Sequence, residues 1–362
     1  GDEPPTMAKP SSFDADHADE DEVERLLSVT PGDTDAPEEV TFARNVFLPL
    51  STACVNSCDY CAFYDEPGEA SLMTPEEVRE TLERGARAGC TEALFSFGTR
   101  AETYPNIRDE LAELGYDDTL EYLYDMCIEA LELGLLPHTN AGVMTYEEIE
   151  RLSEVNVSMG LMLETTATVE AHEGYATKKP ERRLRAIHDA GRAGVPYTTG
   201  ILVGIGEGWE DRAGSLLAIR DAHREHGHIQ EVIIQNVVPN ERSEFERPST
   251  ETVRRAVAMA RVALPDEVEV QVPPNLSTDL PSLVRAGAGD LGGVSAVTDD
   301  YINPDYDWPA VERLRSVADE ADTQLLERLP VYPRYVEDGW LPERIEEAVA
   351  GMEKKGVDVD GG

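Results

Sequence analysis

The chain contains 362 residues, and its 73 acidic side chains outnumber its 31 basic side chains to give a formal net charge of −42. That length suits one large domain or two ordinary ones, and a hydrophobic content of 41% is enough to bury a core. Such a charge repels phosphate backbones and anionic lipid surfaces, which disfavours nucleic-acid and membrane partners. Because no apolar stretch reaches the roughly 18 residues of a spanning helix, and no signal-peptide pattern opens the sequence, we expect a cytoplasmic protein.

The basic residues are unevenly divided, with five lysines against 26 arginines. Molar salt shortens the electrostatic screening length to roughly 3 Å, so a surface this acidic is tolerated there without severe self-repulsion. The composition therefore indicates a halophilic source, with an acidic protein from an ordinary environment as the alternative. In either case the charge describes the solvent and not the reaction.

Residues 1–40 form a distinct acidic segment. They contain 13 acidic and two basic residues, are interrupted by five prolines, and have few large apolar side chains. Because a segment of this composition buries too little apolar surface to offset the entropy of ordering, we expect a mobile or loosely docked arm.

Residues 41–324 show short apolar runs that alternate with helical stretches, a pattern that predicts βα units and a parallel sheet. Eight strands are predicted, at residues 44–50, 92–97, 136–140, 156–163, 197–203, 231–238, 267–272 and 291–297. Helices are predicted at residues 75–88, 119–133, 146–153, 180–193, 211–226, 250–263, 280–286 and 308–320. Eight alternations over about 280 residues match a closed α/β barrel of the TIM type, (β/α)8. A doubly wound open sheet is the alternative, but no glycine-rich dinucleotide fingerprint follows the first strand.

Residues 325–362 form a C-terminal helical extension, with a helix predicted at 342–352. We expect this extension to serve as a lid or a brace for the barrel. In a closed barrel the catalytic groups come from the C-terminal ends of the strands and from the loops that follow them. Candidate site residues are therefore sought at those eight places.

Three cysteines follow the first predicted strand within one short loop, at Cys54, Cys58 and Cys61. In a reducing cytosol they are not expected to form disulfides, which leaves metal-binding or catalytic roles. A structural zinc site normally uses four protein ligands, and the two remaining cysteines, Cys90 and Cys127, are isolated in the sequence. Three thiolates at this spacing instead match a 4Fe-4S cluster with one iron left for a ligand that is not protein. Zinc and ordinary buried cysteines are the alternatives.

This Cys-x3-Cys-x2-Cys pattern, with Tyr60 just before the last cysteine, resembles the signature of the radical S-adenosylmethionine (SAM) enzymes. The resemblance implies a barrel fold, a 4Fe-4S cluster held by the three cysteines, and SAM chelated at the open iron. It further implies that an electron from a low-potential donor passes through the cluster and splits SAM. The resulting 5′-deoxyadenosyl radical abstracts a hydrogen atom from the substrate.

The same resemblance assigns SAM-binding roles to residues at successive strand ends. Gly98, together with Ser96 in the second strand, is expected against the methionine amino group, where a glycine lets the backbone approach. Glu164 is expected to accept hydrogen bonds from the ribose hydroxyls, and Gly200 and Gly204 are expected to flank the adenine. Taken alone each signal is weak, because a glycine-rich strand end is often a tight turn and a lone glutamate is often a surface ion pair.

Longer stretches at residues 45–50, 136–142 and 156–164 resemble the CofG-type subunit family of the 7,8-didemethyl-8-hydroxy-5-deazariboflavin synthases, and the likeness runs over about residues 44–340. The resemblance implies oxidative closure of the middle ring of a deazaflavin with release of ammonia. It also implies a separate CofH-type partner subunit that joins a tyrosine-derived hydroxybenzyl fragment to 5-amino-6-(D-ribitylamino)uracil. One departure is Thr99, where relatives are expected to carry glutamate, so the role of a side chain at that position is left open.

His138 and Asn140 are candidate catalytic residues at the end of the third predicted strand. Hydrogen-bonding side chains at the barrel mouth can hold the uracil edge, or take a proton as the ring closes. The alternative for His138 is a hydrogen-bonded histidine that only shapes the loop. Ser158 and Glu207 are weaker candidates of the same kind.

No carboxylate partner for a metal site is evident at the end of the helix predicted at 211–226. We therefore expect solvated side chains for the three histidines found there, His223, His226 and His228.

Other functions share parts of this pattern. A sulfur-inserting radical enzyme needs a sacrificial second cluster, for which Cys90 and Cys127 are too isolated. A radical enzyme of quinone biosynthesis or another ring-forming radical enzyme would share the cluster and the barrel and differ only in substrate. A metal-stabilised scaffold protein is the non-enzyme alternative; it predicts bound metal without cleavage of SAM and leaves the placements of Gly98, Glu164 and Gly200 unexplained.

Overall fold

The structure is a computed structural model that describes residues 19–53, 69–98, 100–239, 245–277, 279–295 and 309–354. Within these ranges the strands are β1 (Glu39–Ser51), β2 (Glu92–Phe97), β3 (Leu136–Asn140), β4 (Ser158–Gly160), β5 (Tyr197–Val203), β6 (Ile229–Asn236), β7 (Glu269–Gln271), β8 (Asp290–Ser295) and β9 (Gln324–Glu327). The α-helices are α1 (Glu20–Leu27), α2 (Pro75–Arg87), α3 (Pro105–Glu113), α4 (Thr119–Glu132), α5 (Tyr146–Ser153), α6 (Pro180–Arg192), α7 (Trp209–His226), α8 (Thr250–Ala263), α9 (Leu280–Arg285), α10 (Pro309–Glu320), α11 (Pro333–Glu337) and α12 (Glu343–Lys354).

Strands β1 to β8 form a closed, all-parallel barrel, which confirms the predicted fold and excludes the open sheet. The strand order is sequential from β2 to β8, and β1 joins the two ends. The C-terminal half of β1 pairs with β2, and its middle pairs with β8. Every strand therefore ends at the same rim, and the loops after the strands share one mouth.

Local sequence signals explain where the helices begin. Thr74 accepts a hydrogen bond from the backbone of Glu77, while the Glu77 carboxylate accepts one from the backbone of Thr74. The same reciprocal cap opens α5 at Thr145 and Glu148. Each pair satisfies two N–H groups that the first helical turn leaves without a backbone partner.

The arm predicted at residues 1–40 is docked in the part that the structure describes. Helix α1 buries Leu26, and Glu22 forms a two-pronged ion pair with Arg220 of α7 at 2.8 and 2.9 Å. Arg255 of α8 donates to the carbonyl of Leu27 at 3.0 Å. Residues 20–27 thus pack on the outside of the barrel, whereas residues 1–18 lie outside the described ranges.

The C-terminal extension crosses the end of the barrel opposite the mouth. Strand β9 pairs with Glu39–Phe42, the first residues of β1, so the chain after β9 lies at the N-terminal ends of the strands. There Tyr335, Ile345 and Val349 pack with Leu136 and Val157 in a separate apolar cluster. The extension is therefore a brace at the base of the barrel, and its residues 325–354 do not cover the mouth.

The main core lies between the barrel strands and the surrounding helices. Its largest fully buried side chains include Tyr122, Phe95, Leu48, Leu50 and Leu82. Within the described ranges, we find no helix that is both long enough and apolar enough to span a membrane.

Candidate active site

The two ends of the cysteine loop are joined at the mouth of the barrel. Ser51, the last residue of β1, forms an antiparallel bridge with Leu72. Thr52 donates its N–H to the carbonyl of Ser71 at 3.2 Å, and the Thr52 hydroxyl accepts from the N–H of Ser71 at 3.0 Å. The loop therefore leaves and returns at one point beside the strand ends. Four predicted site residues of this loop lie outside the described ranges, namely Cys54, Cys58, Tyr60 and Cys61.

Ser96, Gly98 and Asn140 lie together at the rim formed by β2 and β3. Ser96 is paired in register with Asn140 across the two strands, and both line the barrel lumen. Gly98 follows β2 directly and is buried. The structure thus places Asn140, a predicted catalytic residue, beside Ser96, a predicted SAM-binding residue, while Thr99 lies outside the described ranges.

His138 lies deeper than the sequence suggested. It occupies the middle of β3, two residues before the rim, and its side chain is buried in the lumen. Ser158 donates its hydroxyl to the carbonyl of Pro330 at 2.7 Å, so the Nδ1 N–H of His138 donates to the Ser158 oxygen at 2.6 Å. Burial, together with the nearby Arg328, lowers the pKa of His138 to about 4. The imidazole is therefore neutral at pH 7, with Nε2 as a hydrogen-bond acceptor.

The lumen of the barrel contains a cavity of about 170 Å³. Its polar lining comes from strands on every side of the barrel, with Arg328 of the extension among the lining residues. The side chains that carry hydrogen-bonding groups into it include Asn45, Ser96, His138, Asn140, Thr198 and Gln271.

Arg328 enters the base of the barrel and is held by buried carboxylates. Its NH2 group lies 2.9 Å from Asp290 and 3.4 Å from Glu231. Asp290 is fully buried and also accepts hydrogen bonds from Thr41 at 2.6 Å and Gln271 at 2.7 Å. A single guanidinium, itself 12% exposed, therefore faces two buried carboxylates.

Glu92 adds a third carboxyl group to this part of the lumen. Burial raises the pKa of Glu92 to about 7, and the negative charges of Glu231 and Asp290 add to the effect against the opposing charge of Arg328. Burial also raises the pKa of Glu231. The carboxyl groups of Glu92 and Glu231 thus bind protons more strongly in the folded chain than in the unfolded chain.

Glu164 lies just beyond β4 and is surrounded by cations. Its carboxylate is 2.6 Å from Lys178 Nζ, 3.0 Å from His172 Nε2 and 3.7 Å from the Arg183 guanidinium. Burial alone would raise the pKa of Glu164, but Arg183, Lys178 and His172 hold it well below its usual range. Glu164 is therefore ionised under all ordinary conditions.

The backbone of Glu164 adopts an uncommon conformation, with φ at 72°. Its N–H donates to the carbonyl of Gly200 at 3.0 Å, and its carbonyl accepts from the N–H of Leu202 at 2.8 Å. Arg183 donates to the carbonyl of Met162 at 2.6 Å, which fixes the chain just before Glu164. A left-handed non-glycine residue held in this way is a feature that clusters at functional sites.

Gly200 and Gly204 both have packing reasons to be glycine. A Cβ atom on Gly200 would collide with the carbonyl of Ile233 and come within 2.8 Å of Met162, and one on Gly204 would come within 2.8 Å of Val237. Gly204 also has φ at 105°. These contacts explain the glycines without a ligand, so their place against adenine stays a prediction.

Glu207 shapes the loop after β5. One of its carboxylate oxygens accepts hydrogen bonds from the N–H groups of Gly204 at 3.0 Å and Ile205 at 2.8 Å. The other oxygen lies 2.6 Å from Nε of Arg212. Both carboxylate oxygens are thus engaged within the loop and by Arg212, which favours a positioning role for Glu207.

The three histidines near the end of α7 are not solvated, so that expectation was wrong. His223 and His228 are buried and His226 is nearly so, because the end of α7 packs against α6 and the start of β6. His223 contacts Glu267 at 2.5 Å, and His228 contacts the carbonyl of Ile187 at 2.8 Å. The sequence does not show that α6 contributes a fourth histidine, His188, to this place.

Comparison with known proteins identifies the chain. The family model described as the Radical SAM superfamily matches residues 48–219, which include the cysteine loop and the strand ends described above. Together with the closed parallel barrel and the highly similar relatives described next, this match defines a radical SAM enzyme. A relative from Halobacterium salinarum (strain ATCC 29341 / DSM 671 / R1), named 7,8-didemethyl-8-hydroxy-5-deazariboflavin synthase, is 57% identical over 335 residues, 90% of this chain and 91% of the relative. The chain belongs to the family of the 7,8-didemethyl-8-hydroxy-5-deazariboflavin synthases.

One further relative supports the family, and one solved structure supports the fold. A relative of the same name from Haloarcula marismortui is 56% identical over 329 residues, 91% of this chain and 89% of the relative. The haloarchaeal relatives fit the halophilic source predicted from the acidic composition. The crystal structure of HydG, a maturase of the [FeFe]-hydrogenase, has a TM-score of 0.65 at 17% identity, covering 93% of this chain and 75% of that chain. At that identity the likeness concerns the fold alone.

Membership of the superfamily establishes a 4Fe-4S cluster and SAM as the cofactors. The described residues fit both groups. The loop that carries the three cysteines is closed at its base beside the barrel rim. A buried glycine, Gly98, follows β2, and an ionised carboxylate, Glu164, follows β4 at the same end of the barrel. The assignment of Cys54, Cys58 and Cys61 as iron ligands stays a prediction.

The sequence analysis missed the residues that surround Glu164. Lys178 is one of only five lysines in the chain, and that rarity was a signal that this ammonium group serves a particular carboxylate. His172 and Arg183 carried no comparable signal, because their contacts with Glu164 depend on how the chain after β4 folds back.

Proposed function

We propose that this chain closes the middle ring of the deazaflavin chromophore. The substrate would be 5-amino-5-(4-hydroxybenzyl)-6-(D-ribitylimino)-5,6-dihydrouracil, and the products 7,8-didemethyl-8-hydroxy-5-deazariboflavin and ammonia. The observation that carries the proposal is 57% identity over 90% of the chain to a relative that bears the name of this synthase. When bound, the cluster and SAM supply a 5′-deoxyadenosyl radical that takes a hydrogen atom from the substrate.

The size and polar lining of the lumen cavity favour a polar substrate of which only a part enters the barrel. A cavity of about 170 Å³ is smaller than the roughly 300–1,000 Å³ of a typical ligand pocket. Asn45, Ser96, Asn140 and Gln271 line it with amide and hydroxyl groups. Groups of these kinds suit the uracil edge or the ribityl hydroxyls, with the remainder of the substrate at the mouth.

His138 and Asn140 are the proposed catalytic residues. Because Ser158 accepts the Nδ1 hydrogen of His138, Nε2 is the nitrogen that can accept a hydrogen bond or a proton from the substrate. The low pKa of His138 keeps this nitrogen unprotonated before the substrate binds. Asn140, at the rim two residues further, can hold the substrate by its amide.

The described residues proposed to bind SAM lie on β2 and β5 and in the segments that follow β2, β4 and β5. Ser96 and Gly98 would face the methionine group and Glu164 the ribose, as the family resemblance implies. Gly200 and Gly204 would flank the adenine, near the apolar cluster of Leu202, Ile205 and Val237. Tyr60 completes the set, and the cluster ligands would be Cys54, Cys58 and Cys61.

Two partners are required by the proposed reaction. A CofH-type subunit would supply the tyrosine–uracil adduct, since one radical domain accounts for only one half of the chromophore's assembly. A low-potential donor would supply the electron that the cluster passes on.

The test is an anaerobic assay of the full chain with its cluster reconstituted in high salt. Dithionite, SAM and the purified product of the partner are added, and 5′-deoxyadenosine and deazaflavin fluorescence are followed together. Formation of both supports the proposal. Deoxyadenosine without the fluorophore contradicts the proposed substrate, and an intact cluster that yields neither product contradicts radical chemistry on this substrate.

A further inference from the structure

Three side chains of types that commonly bind metal ions converge on the outside of the barrel, between α6 and α7. Nδ1 of His188 lies 3.0 Å from Nε2 of His226, and a carboxylate oxygen of Glu225 lies 3.4 Å from the same His188 nitrogen. The other carboxylate oxygen of Glu225 lies 3.8 Å from Nε2 of His226. One ligand atom of each residue lies within 4.8 Å of the others.

This arrangement has the composition and nearly the dimensions of a zinc site. Zinc binds histidine nitrogen at roughly 2.0–2.1 Å and carboxylate oxygen at similar distances, commonly with three protein ligands and a water. Two nitrogens on a tetrahedral zinc of that bond length are roughly 3.3 Å apart. The separation of 3.0 Å between His188 and His226 needs only a small opening to reach that value.

The rings are held in place by their surroundings. His188 is 1% exposed, and the ring of His226 lies against Gly191 of α6, where a Cβ atom would collide with it. The ring of His228 packs edge-on against His226 with centroids 5.4 Å apart. Glu225 is 46% exposed, so the open side of the cluster faces solvent and admits a cation.

The local charges also suit a divalent cation. Asp189 and Asp221 add negative charge nearby. Arg192 is the opposing cation, and it forms an ion pair with Asp189.

We propose that His188, Glu225 and His226 bind one zinc ion that fastens α6 to α7. The site lies next to the start of β6, at the end of the barrel opposite the mouth. It is therefore separate from the cysteine loop, and the proposal does not depend on the reaction proposed above.

The test measures zinc in the full chain with its cluster in place. The protein is dialysed against micromolar Zn²⁺, passed through a desalting column, and analysed for zinc and iron by mass spectrometry. One zinc per chain is expected in addition to the iron of the cluster. Glu225→Gln and His226→Gln are expected to lose it while their iron content stays unchanged, which shows that the zinc does not occupy the cysteine loop.

Glu210→Gln is the matched control, because Glu210 is an exposed glutamate of the same helix. This variant is expected to retain its zinc, with an affinity equal to that of the unaltered chain. Zinc is also expected to raise the melting temperature of the unaltered chain and of Glu210→Gln, and not that of Glu225→Gln. Glu225 is half exposed, so its replacement leaves the core intact.

The proposal is overturned by any of three results. In the first, the unaltered chain binds no zinc other than zinc that has replaced iron at the cysteines. In the second, Glu225→Gln and His226→Gln retain their zinc. In the third, Glu210→Gln loses its zinc to the same extent as they do. In each case the three side chains form a hydrogen-bonded cluster only.

Discussion

The guanidinium of Arg328 lies 2.9 Å from the carboxylate of Asp290 inside the base of the barrel, although 38 residues separate them in sequence. Asp290 has no exposed surface, and Arg328 is the cation that faces it. The C-terminal brace therefore contributes the charge that balances carboxylates carried by the barrel strands.

Replacement of Arg328 by methionine is expected to destabilise the fold by about 3–5 kcal/mol, because it leaves Asp290 and Glu231 buried without their cation. Urea unfolding in high salt measures this loss. Arg25→Met is the control, since Arg25 is 68% exposed and its loss is expected to cost less than about 0.5 kcal/mol. A loss below about 1 kcal/mol for the Arg328 variant contradicts the role given to this ion pair.

The pH dependence of stability is expected to include a contribution from Glu92. Its pKa is raised from 4.5 to about 7 in the folded chain, so the folded state binds a proton more tightly than the unfolded state. The stability gained in this way is complete below the unfolded pKa and is lost as the pH rises through about 7. Between about pH 5 and pH 7, Glu92→Gln is expected to reduce the slope of the free energy of unfolding against pH by up to about 1.4 kcal/mol per pH unit.

Unfolding curves of the two proteins at several pH values test this expectation. Glu269, whose pKa burial also raises to about 7, gives a slope of the same sign, so the informative quantity is the difference between the two chains. Equal slopes would falsify the assignment of this proton to Glu92. Glu102→Gln provides a control at a carboxyl group outside the lumen cavity.

Glu164→Gln is expected to lower both stability and SAM cleavage. The substitution leaves Lys178, His172 and Arg183 around a neutral group, which costs about 3–5 kcal/mol at neutral pH. Because the folded pKa is depressed, the contribution of Glu164 is present above the unfolded pKa of 4.5 and is lost as the pH falls below it. Urea unfolding and the rate of 5′-deoxyadenosine formation measure the two effects.

The control for this variant is Glu170→Gln, an exposed glutamate of the same segment. Wild-type rates and stability are expected there. If Glu164→Gln were destabilised but cleaved SAM at the normal rate, Glu164 would hold the segment and have no part in cofactor binding.

His138→Gln is expected to separate the two products of the assay. Loss of a general base commonly slows a reaction about 10²- to 10⁴-fold, so deazaflavin formation falls by that amount. Because the residues proposed to bind SAM lie on other strands, deoxyadenosine is still expected to form. Ser158→Ala, which removes the acceptor for Nδ1 of His138, is expected to give a smaller loss of the same kind.

A parallel fall of both products in His138→Gln would point to a role in holding the lumen together. The pH profile gives a second check. With its pKa at about 4, His138 does not titrate near neutrality, so no inflection from this residue is expected between about pH 6 and pH 8.

Stability is expected to rise with salt. At a net charge of −42, repulsion between carboxylates opposes folding, and the screening length falls from about 10 Å at 0.1 M salt to about 3 Å at 1 M. Thermal unfolding in KCl over that range measures the gain. Glycine betaine at equal osmolality does not screen charge, and it is expected to reproduce only a minor part of the effect.

The barrel was predictable because hydrophobic runs and caps are local signals. Strands β2, β3 and β5 and helix α5 have the predicted bounds. Strand β4 is shorter than predicted. Leu161 and Leu163 are buried, as expected for the apolar run at residues 156–163, but they lie after the last residue of β4. Helix α3 was missed although Pro105 marks its first turn, because its apolar stripe is sparse.

Contacts between distant segments were not predictable. Nothing near Arg328 in the sequence distinguishes it from the other arginines, and its partners Glu231 and Asp290 lie on strands β6 and β8. The depth of His138 in the lumen and the convergence of His188 with His226 likewise depend on how strands and helices pack. Strand ends identify candidate residues, while the partners of those residues require the fold.

Arg328 is also synthesised after all the carboxyl groups that it faces in the lumen. When a ribosome has completed β8, the carboxyl groups of Glu92, Glu231 and Asp290 are all present, and their guanidinium has not yet been made. Burial of these groups at that stage would lack a balancing cation, so we expect this part of the barrel to stay hydrated until Arg328 is added. A chain truncated before residue 328 is therefore expected to keep a hydrated barrel base and to be cleaved faster by proteases than the full chain.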